Sequence, residues 1–312
     1  MQVWGTLNVQ GTDAAPVVLT SFADDTAGGD WGSDGSTTKP NDVRWRGIQV
    51  QDGGSLTANK LDVRYLQNGY SGLSGEHASV FRVANSSVES GIYAARGTEY
   101  DDRLQEITLT GNTVKNGQVH VYSQNSSDGV VTTVKNNTVT GYAAEAPAFL
   151  VHDSAFRGDN MSGNTAAGGK QNVFEVSGVA VANWTVPAGI NYVIGNNSYN
   201  YYYGYYGLGV AADVTLTVPA GRVIKVRQDS SLRVDGKLST GGTAASPVVL
   251  TSIYDDTAGG DWNGDGNLSV PAPGDWVGLF VSGNLDLQNT DIRYAALRTF
   301  GGGEARRVRF GG

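Results

Sequence analysis

The sequence predicts an all-β protein, a right-handed parallel β-helix (solenoid) with long acidic, glycine-rich loops inserted into its coils. Three observations predict this fold class: a long-range internal repeat, a shorter period of about 25 residues in the middle of the chain, and short alternating apolar runs without a helical period. The right hand follows from the general rule for crossover connections between parallel strands.

The long-range repeat aligns residues 5–50 with residues 236–281 without a gap, and more than half of these positions are identical. The similarity continues beyond this block, so that the unit 5–82 recurs at 236–310. Self-similarity of this kind is typical of a solenoid or a repeat array. We therefore expect one continuous solenoid over residues 1–312, and not two globular domains.

The shorter period lies in the central coils, residues 83–180, where asparagine-centred segments recur about every 25 residues, the length of one solenoid turn. The segments are marked by Asn85, Asn112, Asn137 and Asn164. Asparagine tolerates left-handed backbone and bonds to nearby peptide groups, so a stack of these residues would link the amides of successive coils. We expect an asparagine ladder at one corner, and four unrelated turns are the alternative.

Apolar residues alternate with polar ones in short runs, such as Leu7 with Val9 and Val119 with Val121. This is the period of β-strands, and Gly, Asn, Asp and Ser separate the runs. No long window has apolar residues at spacings of three and four, and strong helix formers are sparse. We therefore expect almost no helix.

Composition and charge exclude several functional classes. The chain has 44 Gly, 39% hydrophobic and 17% charged residues, which suits a turn-rich β protein and argues against disorder. A formal charge of -8 disfavours nucleic acid as a partner, and the absence of Cys excludes a thiol nucleophile. No apolar stretch approaches the length of a membrane span, and no export signal is present. Met1 aligns with Leu232 in mid-repeat, so we expect a longer parent protein.

The acidic loop in each repeat copy is the strongest candidate for a binding site. In the second copy Asp261, Asn263 and Asp265 alternate and Gly266 follows, a spacing at which oxygen side chains converge on a hard cation. We expect calcium in a structural role, because a bound cation offsets the entropy of ordering a long loop. Ordinary Asx-turns without an ion are the alternative. The predicted ligands are Asp24, Asp25, Asp30 and Asp34 in the first copy, and Asp255, Asp256, Asp261, Asn263 and Asp265 in the second.

Two further features of the loops refine this prediction. Gly32 occupies the position of the loop asparagine in the first copy, so a site there should bind more weakly. Tryptophans accompany both loops, and we expect Trp45 and Trp276, at strand starts, to pack beneath them. Trp31 and Trp262 lie inside the loops, where they would either cover the coil or present flat faces to sugars.

The sequence gives less support to a catalytic site than to a metal site. A polysaccharide lyase of this fold would need calcium carboxylates beside a basic residue that accepts the proton, and Asp62 with Arg64 imitates this arrangement. We favour a cross-coil salt bridge for that pair.

Two further sets of residues have weak claims to function. His120 and His152, with Asp153 and Glu175, could form a metal or acid–base site, but solvent-facing sheet positions are the favoured interpretation. The run Tyr199–Tyr206 would either form an outward aromatic stripe or fill a wide interior.

Phrases such as LTVPAGRVIKV, SSLRVDGKL, DDTAGGDWNGDG and GDWVGLFV, within residues 216–281, resemble the extracellular right-handed parallel β-helix proteins of bacteria. The resemblance implies a prokaryotic extracellular or cell-surface location. The same superfold supports pectin-degrading enzymes, phage tailspikes, adhesins and passive stalks.

We therefore expect a structural or adhesive segment, stabilised by calcium and belonging to a longer array or filament. Its expected partners are tandem neighbours or further copies joined end to end, together with a glycan surface. One alternative is a polysaccharide lyase or hydrolase acting along a groove, and another is a glycan-binding module without turnover.

Overall fold

The computed structural model describes residues 1–76, 78–95, 106–123, 132–195, 207–300 and 303–311. The described part is nearly all β-strand, with one short 3-10 helix at Gly158–Met161, and every strand pair in it is parallel. The all-β prediction is confirmed, with long parallel sheets compatible with a solenoid. No helix in this part is long and apolar enough to cross a membrane. The run Tyr199–Tyr206 lies outside the described residues.

The strands are short, and most follow the alternating apolar runs of the sequence. In the first half of the chain they are β1 (Gln2–Val3), β2 (Thr6–Gln10), β3 (Val17–Leu19), β4 (Ile48–Val50), β5 (Ser55–Asn59), β6 (Leu61–Val63), β7 (Leu73–Glu76), β8 (Val80–Ala84), β9 (Ser87–Glu89), β10 (Ile92–Ala95), β11 (Glu106–Thr110), β12 (Thr113–Lys115), β13 (Val119–Ser123), β14 (Thr132–Lys135) and β15 (Thr138–Thr140). In the second half they are β16 (Pro147–Phe156), β17 (Thr165–Ala167), β18 (Gln171–Ala180), β19 (Trp184–Thr185), β20 (Asn191–Ile194), β21 (Gly207–Val210), β22 (Thr215–Pro219), β23 (Val223–Val226), β24 (Ser231–Val234), β25 (Lys237–Gly241), β26 (Val248–Ser252), β27 (Trp276–Val281), β28 (Asn284–Arg293), β29 (Ala295–Phe300) and β30 (Gly303–Gly311).

The chain forms two compact units. Of the described residues, unit 1 comprises those within 1–123, 132–143 and 164–169, and unit 2 comprises those within 144–163 and 170–311. Each unit has its own ladders and its own buried core. One continuous solenoid over the whole chain stays a prediction.

Unit 1 contains three parallel ladders. Their strand orders are β1-β4-β7-β10-β13, β2-β5-β8-β11-β14 and β3-β6-β9-β12-β15-β17. Neighbouring strands pair residues about 25 positions apart, as Gln49 with Ser74, which is the predicted length of one turn. Inward side chains stack along each ladder, as Leu56, Phe81 and Ile107 do, and form the buried core.

Unit 2 repeats this arrangement with longer strands. One ladder runs β16-β18-β20-β23-β26-β28-β30, a second joins β18-β21-β24-β27-β29, and a third joins β19-β22-β25-β28-β30. The strands β18, β28 and β30 are long enough to take part in two ladders each. Ile224, Leu250 and Ile292 stack in register in its interior, and all three are buried.

The predicted asparagine ladder is present in unit 1 but begins one coil later. The Nδ2 atom of Asn112 donates to Oδ1 of Asn137 at 2.9 Å, and Asn137 donates in the same way to Asn164 at 3.1 Å. The prediction was wrong for Asn85, because Ser86 takes the ladder position and its backbone N–H donates to Asn112 Oδ1. Asn85 is instead the left-handed residue before the ladder position, with φ of 49°.

Candidate functional site: the two acidic loops

The first acidic loop, residues 20–47, lies between β3 and β4, and the second, residues 253–275, lies between β26 and β27. Each loop brings three aspartates together. They are Asp25, Asp30 and Asp34 in the first loop, and Asp256, Asp261 and Asp265 in the second. Within each set one carboxylate oxygen per residue lies within 4.8 Å of the others. Oxygens this close can share one ion, so the structure shows two clusters that could hold a metal.

Hydrogen bonds inside the loops fix these carboxylates. In the second loop, Asp261 accepts from the backbone N–H groups of Gly264 at 2.7 Å and Gly266 at 2.8 Å. In the first loop, Asp30 accepts from Gly35 at 2.9 Å in the matching way. Glycine suits these turns, since Gly264 and Gly266 have φ of 75° and 80°. The Asx-turns of the alternative interpretation are therefore present, and they orient the carboxylates of the cluster.

The second loop also has buried oxygens without hydrogen-bond partners. Among the described residues, Oδ1 atoms of Asp256, Asn263 and Asp265 are shielded from solvent and accept no hydrogen bond. The Nδ2 atom of Asn263 donates to Asp265 Oδ2 at 2.8 Å, which leaves its carbonyl oxygen free to act as a ligand. Buried acceptors without donors are rare in proteins, and a hard cation satisfies such oxygens. The donor set of the second loop could therefore hold a metal ion.

Lys225 of β23 lies beneath the second loop, with a completely buried side chain. Its Nζ donates to Gly260 O at 2.5 Å, lies 3.8 Å from Asp256 Oδ1 and sits 4.9 Å from the ring centroid of Trp262. Burial lowers the pKa of Lys225, although the neighbouring aspartates oppose the shift. Sequence reasoning missed this residue, because a lysine alternating with Ile224 and Val226 predicts a solvent-facing position.

Asp256 is the carboxylate most affected by its surroundings. Burial raises its pKa, and the negative charges of Asp261 and Asp265 raise it further, whereas Lys225 lowers it. The net shift of the Asp256 pKa is upward. The Lys225 ammonium, 3.8 Å away, therefore offsets only part of the energetic cost of the negative charge on Asp256. A cation in the cluster would favour the ionised form.

Asp24 and Asp255 lie outside the three-carboxylate clusters and hold the bases of the loops. Asp24 accepts from the hydroxyl of Thr20 at 2.6 Å, and Asp255 accepts from Thr251 at 2.7 Å and from Arg293 at 3.3 Å. Burial alone would raise the pKa of both carboxyl groups, but these hydrogen bonds and the nearby guanidinium lower it overall. The structure therefore does not bring these two predicted ligands into the clusters.

The predicted ion pair of Asp62 with Arg64 is present, but it forms within one coil and not between two coils. Arg64 Nη2 lies 2.6 Å from Asp62 Oδ2, and both residues lie close together along one stretch of chain instead of on separate coils. The cross-coil partner of Arg64 is Asp24, at 3.8 Å. The second copy has the same arrangement, with Arg293 bound to Asp291 at 3.1 Å. These arginines therefore link each loop base to the following coil.

The four residues of the histidine grouping are divided between the two units. His152 is buried and its Nδ1 is hydrogen-bonded to Ser177 Oγ, and Glu175 is buried and ion-paired with Arg227 at 2.5 Å. His120 lies in unit 1 and the others lie in unit 2. The expectation of solvent-facing positions was wrong for His152 and Glu175, which are buried beside polar partners on neighbouring coils.

Packing of the strand-start tryptophans is confirmed. Trp45 and Trp276 each donate the indole N–H to a backbone carbonyl of the following coil at 2.8 Å, and Trp276 is fully buried. The loop tryptophans differ from each other, since Trp262 is 5% exposed and Trp31 is 69% exposed. Trp262 therefore covers the coil, whereas Trp31 presents its ring to solvent.

A polar cleft of about 490 Å³ lies over strands β1, β4 and β7 of unit 1. Its polar lining residues are Gln2, Gln49, Gln51, Asp52, Ser74 and Glu76. Amides, a hydroxyl and two carboxylates can exchange hydrogen bonds with a ligand rich in hydroxyl groups.

Comparison with protein-family models, with curated proteins and with solved structures finds no match to this chain.

Proposed function

We propose that this chain is a structural and adhesive segment of an extracellular or cell-surface protein of a prokaryote, stabilised by calcium and belonging to a longer array or filament. The observation that carries the proposal is the recurrence of one loop design in two repeat copies, each with three carboxylates within 4.8 Å. Uncompensated carboxylates this close repel each other, so a bound cation would stabilise each loop.

The mechanical part of the function follows from the ladders. Each unit winds, in this proposal, as a right-handed parallel β-helix, with every turn hydrogen-bonded to the turns before and after it. Parallel ladders with a period of about 25 residues support this winding. Repeated main-chain pairing and the buried amide ladder from Asn112 to Asn164 would give such a coil stiffness.

Calcium supplies a hard divalent charge to which oxygen ligands bind. In the second loop Asp256, Asp261 and Asp265 would hold it, and the free amide oxygen of Asn263 would add a neutral ligand. The first loop would hold it with the three carboxylates of Asp25, Asp30 and Asp34 alone. In both loops backbone N–H groups of glycine turns orient a ligand carboxylate, Asp261 in the second loop and Asp30 in the first.

Thermal unfolding of the full chain tests calcium stabilisation. We expect millimolar calcium to raise the melting temperature over that in excess EDTA by about 5 °C, because a ligand at a hundred times its Kd adds about 2.7 kcal/mol. The double variant Asp30→Asn/Asp261→Asn should lose this increase. Asp213→Asn, in an exposed turn outside both loops, is the matched control and should retain it. Equal melting curves with calcium and with EDTA would refute the proposal.

The polar cleft favours a second candidate function, a glycan-binding module without turnover. Its hydrogen-bonding lining suits sugar hydroxyls, and Asp52 and Glu76 favour neutral or cationic sugars over acidic ones. A glycan array with the native chain and with Gln49→Ala/Gln51→Ala tests binding. Incubation with a polysaccharide panel, followed by detection of unsaturated and reducing ends, tests turnover. Turnover would support the lyase or hydrolase alternative instead.

A further inference from the structure

The second acidic loop rests on a buried polar relay of three residues from earlier coils of unit 2. The relay consists of Gln171 and Glu175 on β18, and of Arg227 directly after β23. Arg227 Nε donates to Glu175 Oε2 at 2.5 Å, and its Nη2 donates to Gln171 Oε1 at 2.8 Å. Gln171 Nε2 then donates to the backbone carbonyl of Asn263 at 2.8 Å. The relay therefore ends on the loop residue whose side-chain amide oxygen is a candidate ligand.

Hydrogen-bonding chemistry fixes the direction of the relay. A guanidinium only donates, so Arg227 binds the carbonyl oxygen of the Gln171 amide and leaves the N–H group of that amide for the Asn263 carbonyl. The carboxylate of Glu175 holds the guanidinium through a charge-assisted bond. Gln171 and Glu175 are each 5% exposed, so little water competes for these groups. The Gln171 amide is therefore held in one orientation.

The relay fixes the backbone of Asn263, and the loop itself fixes the side chain of this residue. Asn263 Nδ2 donates to Asp265 Oδ2 at 2.8 Å and to Ser269 Oγ at 2.9 Å. The remaining side-chain atom, Oδ1, is buried and has no hydrogen-bond partner in the described part of the chain. This ligand atom is therefore positioned before a cation arrives, and a cation that binds there does not have to order it.

The turn after Asn263 is docked on the same coil as Gln171. Gly264 lies against the backbone of Lys170, because a Cβ atom at Gly264 would approach the Lys170 carbonyl oxygen to 2.8 Å. The Gly264 N–H donates to Asp261 Oδ1 at 2.7 Å, so the docked turn also holds a carboxylate of the cluster. Strands β18, β20, β23 and β26 are successive members of one ladder, and the loop follows β26. The relay therefore connects the loop with a strand three ladder positions earlier.

We propose that Gln171 is a positioning residue of the second cation site, and that a cation bound there holds the second loop against β18 and β23. The inference rests on the calcium-stabilised function proposed above and identifies the contact through which the ion acts on the coils. A ligand that binds the docked loop stabilises the docked state, and docking strengthens ligand binding by the same factor. The first loop has Gly32 in place of Asn263, so it has no side-chain amide for such a relay to position.

Calorimetric titration of the full chain with calcium tests the effect on affinity. Gln171→Met keeps a side chain of similar length but removes both amide hydrogen bonds. In an Asp30→Asn background, which isolates the second loop, we expect it to weaken calcium binding about tenfold. In an Asp261→Asn background, which isolates the first loop, it should leave the affinity unchanged. Thr240→Val is the matched control, because it breaks the buried 2.7 Å hydroxyl contact with Thr290, outside the relay and the loop, and should lower stability without changing the affinity.

Hydrogen exchange supplies a second measurement, which the native chain provides even if Gln171→Met does not fold. We expect saturating calcium to slow amide exchange at least about fivefold in peptides from β18 and β23, because opening of either coil then requires release of the ion. Gln171→Met should remove this slowing by calcium, whereas Thr240→Val should retain it. A purely structural role of Gln171 would change the exchange equally with and without calcium.

An unchanged calcium affinity of the second loop in Gln171→Met would overturn the inference, and so would native exchange at β18 and β23 that calcium does not slow. Equal losses of affinity in Gln171→Met and Thr240→Val would overturn it as well, because they would reflect stability alone. Any of these results, together with a native melting temperature that rises with calcium, would contradict the relay and leave calcium stabilisation supported. Equal native melting curves with calcium and with EDTA would contradict both.

Discussion

The two acidic loops descend from one repeated sequence and differ in what lies beside them. The second loop closes over two earlier coils of unit 2, and its tryptophan is 5% exposed. The first loop has the same DDTAGGDW segment, yet its tryptophan is 69% exposed. Identical local sequence therefore gives the same carboxylate cluster in both loops, whereas burial depends on the neighbouring coil.

The largest predicted difference concerns the loop tryptophans. Trp262→Ala should lower the free energy of unfolding by about 3 kcal/mol, because a buried indole is removed from the cluster that it closes. Trp31→Ala should change it by less than about 0.5 kcal/mol, as surface substitutions do. Urea unfolding at a dilution where the chain is monomeric measures both. Equal losses would show that the two loops are buried alike in solution.

The aspartates at the loop bases should give the next largest effect. Asp255→Asn should lower the free energy of unfolding by about 2 kcal/mol, because the hydroxyl of Thr251 and the guanidinium of Arg293 lose a charged acceptor. Asp24→Asn should cost less, since Arg64 lies 3.8 Å away instead of 3.3 Å. Urea unfolding decides the order, with Asp213→Asn as the surface control. The reverse order would contradict it.

We expect the buried Lys225 to lower the calcium affinity of the second loop. The loop asparagine predicts a stronger site in the second copy, but the buried ammonium 3.8 Å from Asp256 repels a divalent ion there. Lys225→Met should therefore tighten calcium binding by the second loop about tenfold, which is about 1.4 kcal/mol. Calorimetric titration in an Asp30→Asn background isolates this loop. Lys237→Met, a half-exposed lysine paired with Asp286, is the control and should leave the affinity unchanged.

The smallest effect is a pH dependence of opposite sign in the two kinds of aspartate. The raised pKa of Asp256 means that the calcium-free protein should gain stability as pH falls through that pKa, because its unfavourable charge is removed. The lowered pKa values of Asp24 and Asp255 mean that stability present above 3.8 should be lost as pH falls further.

Melting temperatures in EDTA should therefore pass through a maximum in mild acid. The Asp256→Asn variant should show a smaller increase on the neutral side of this maximum, and the part that remains is expected from Glu175, whose pKa burial also raises. Saturating calcium should reduce the increase in the same way, because the ion keeps Asp256 charged. A native chain whose stability falls steadily from neutral pH would contradict the raised pKa.

Local chemistry explains which parts of the molecule were predictable. Alternating apolar residues and a period of about 25 residues predicted parallel strands, because both follow from the geometry of a single turn. The asparagine ladder was predicted for the same reason, and only its first member was wrong. Ser86 bonds to the ladder in that coil and Asn85 takes the left-handed corner, a shift of one residue that periodicity alone does not resolve.

The candidate site was predictable in its carboxylates and unpredictable in its surroundings. Spacing along the loop was enough to select Asp256, Asp261 and Asp265, because glycine turns place near neighbours together. It was not enough to separate Asp255 from them, since Asp255 is held by Thr251 and also by Arg293, from the following coil. Lys225 was missed because its burial requires a loop from a later coil to fold back over it.

The amino-acid sequence by itself determined the all-β class, the repeat and the acidic composition of both loops, because these depend on residue type and on spacing within one turn. The tertiary structure alone decided which loop tryptophan is covered and which carboxylates meet. Those outcomes depend on contacts between coils far apart in the chain. Two nearly identical loops can therefore share one local geometry and differ in burial and charge compensation.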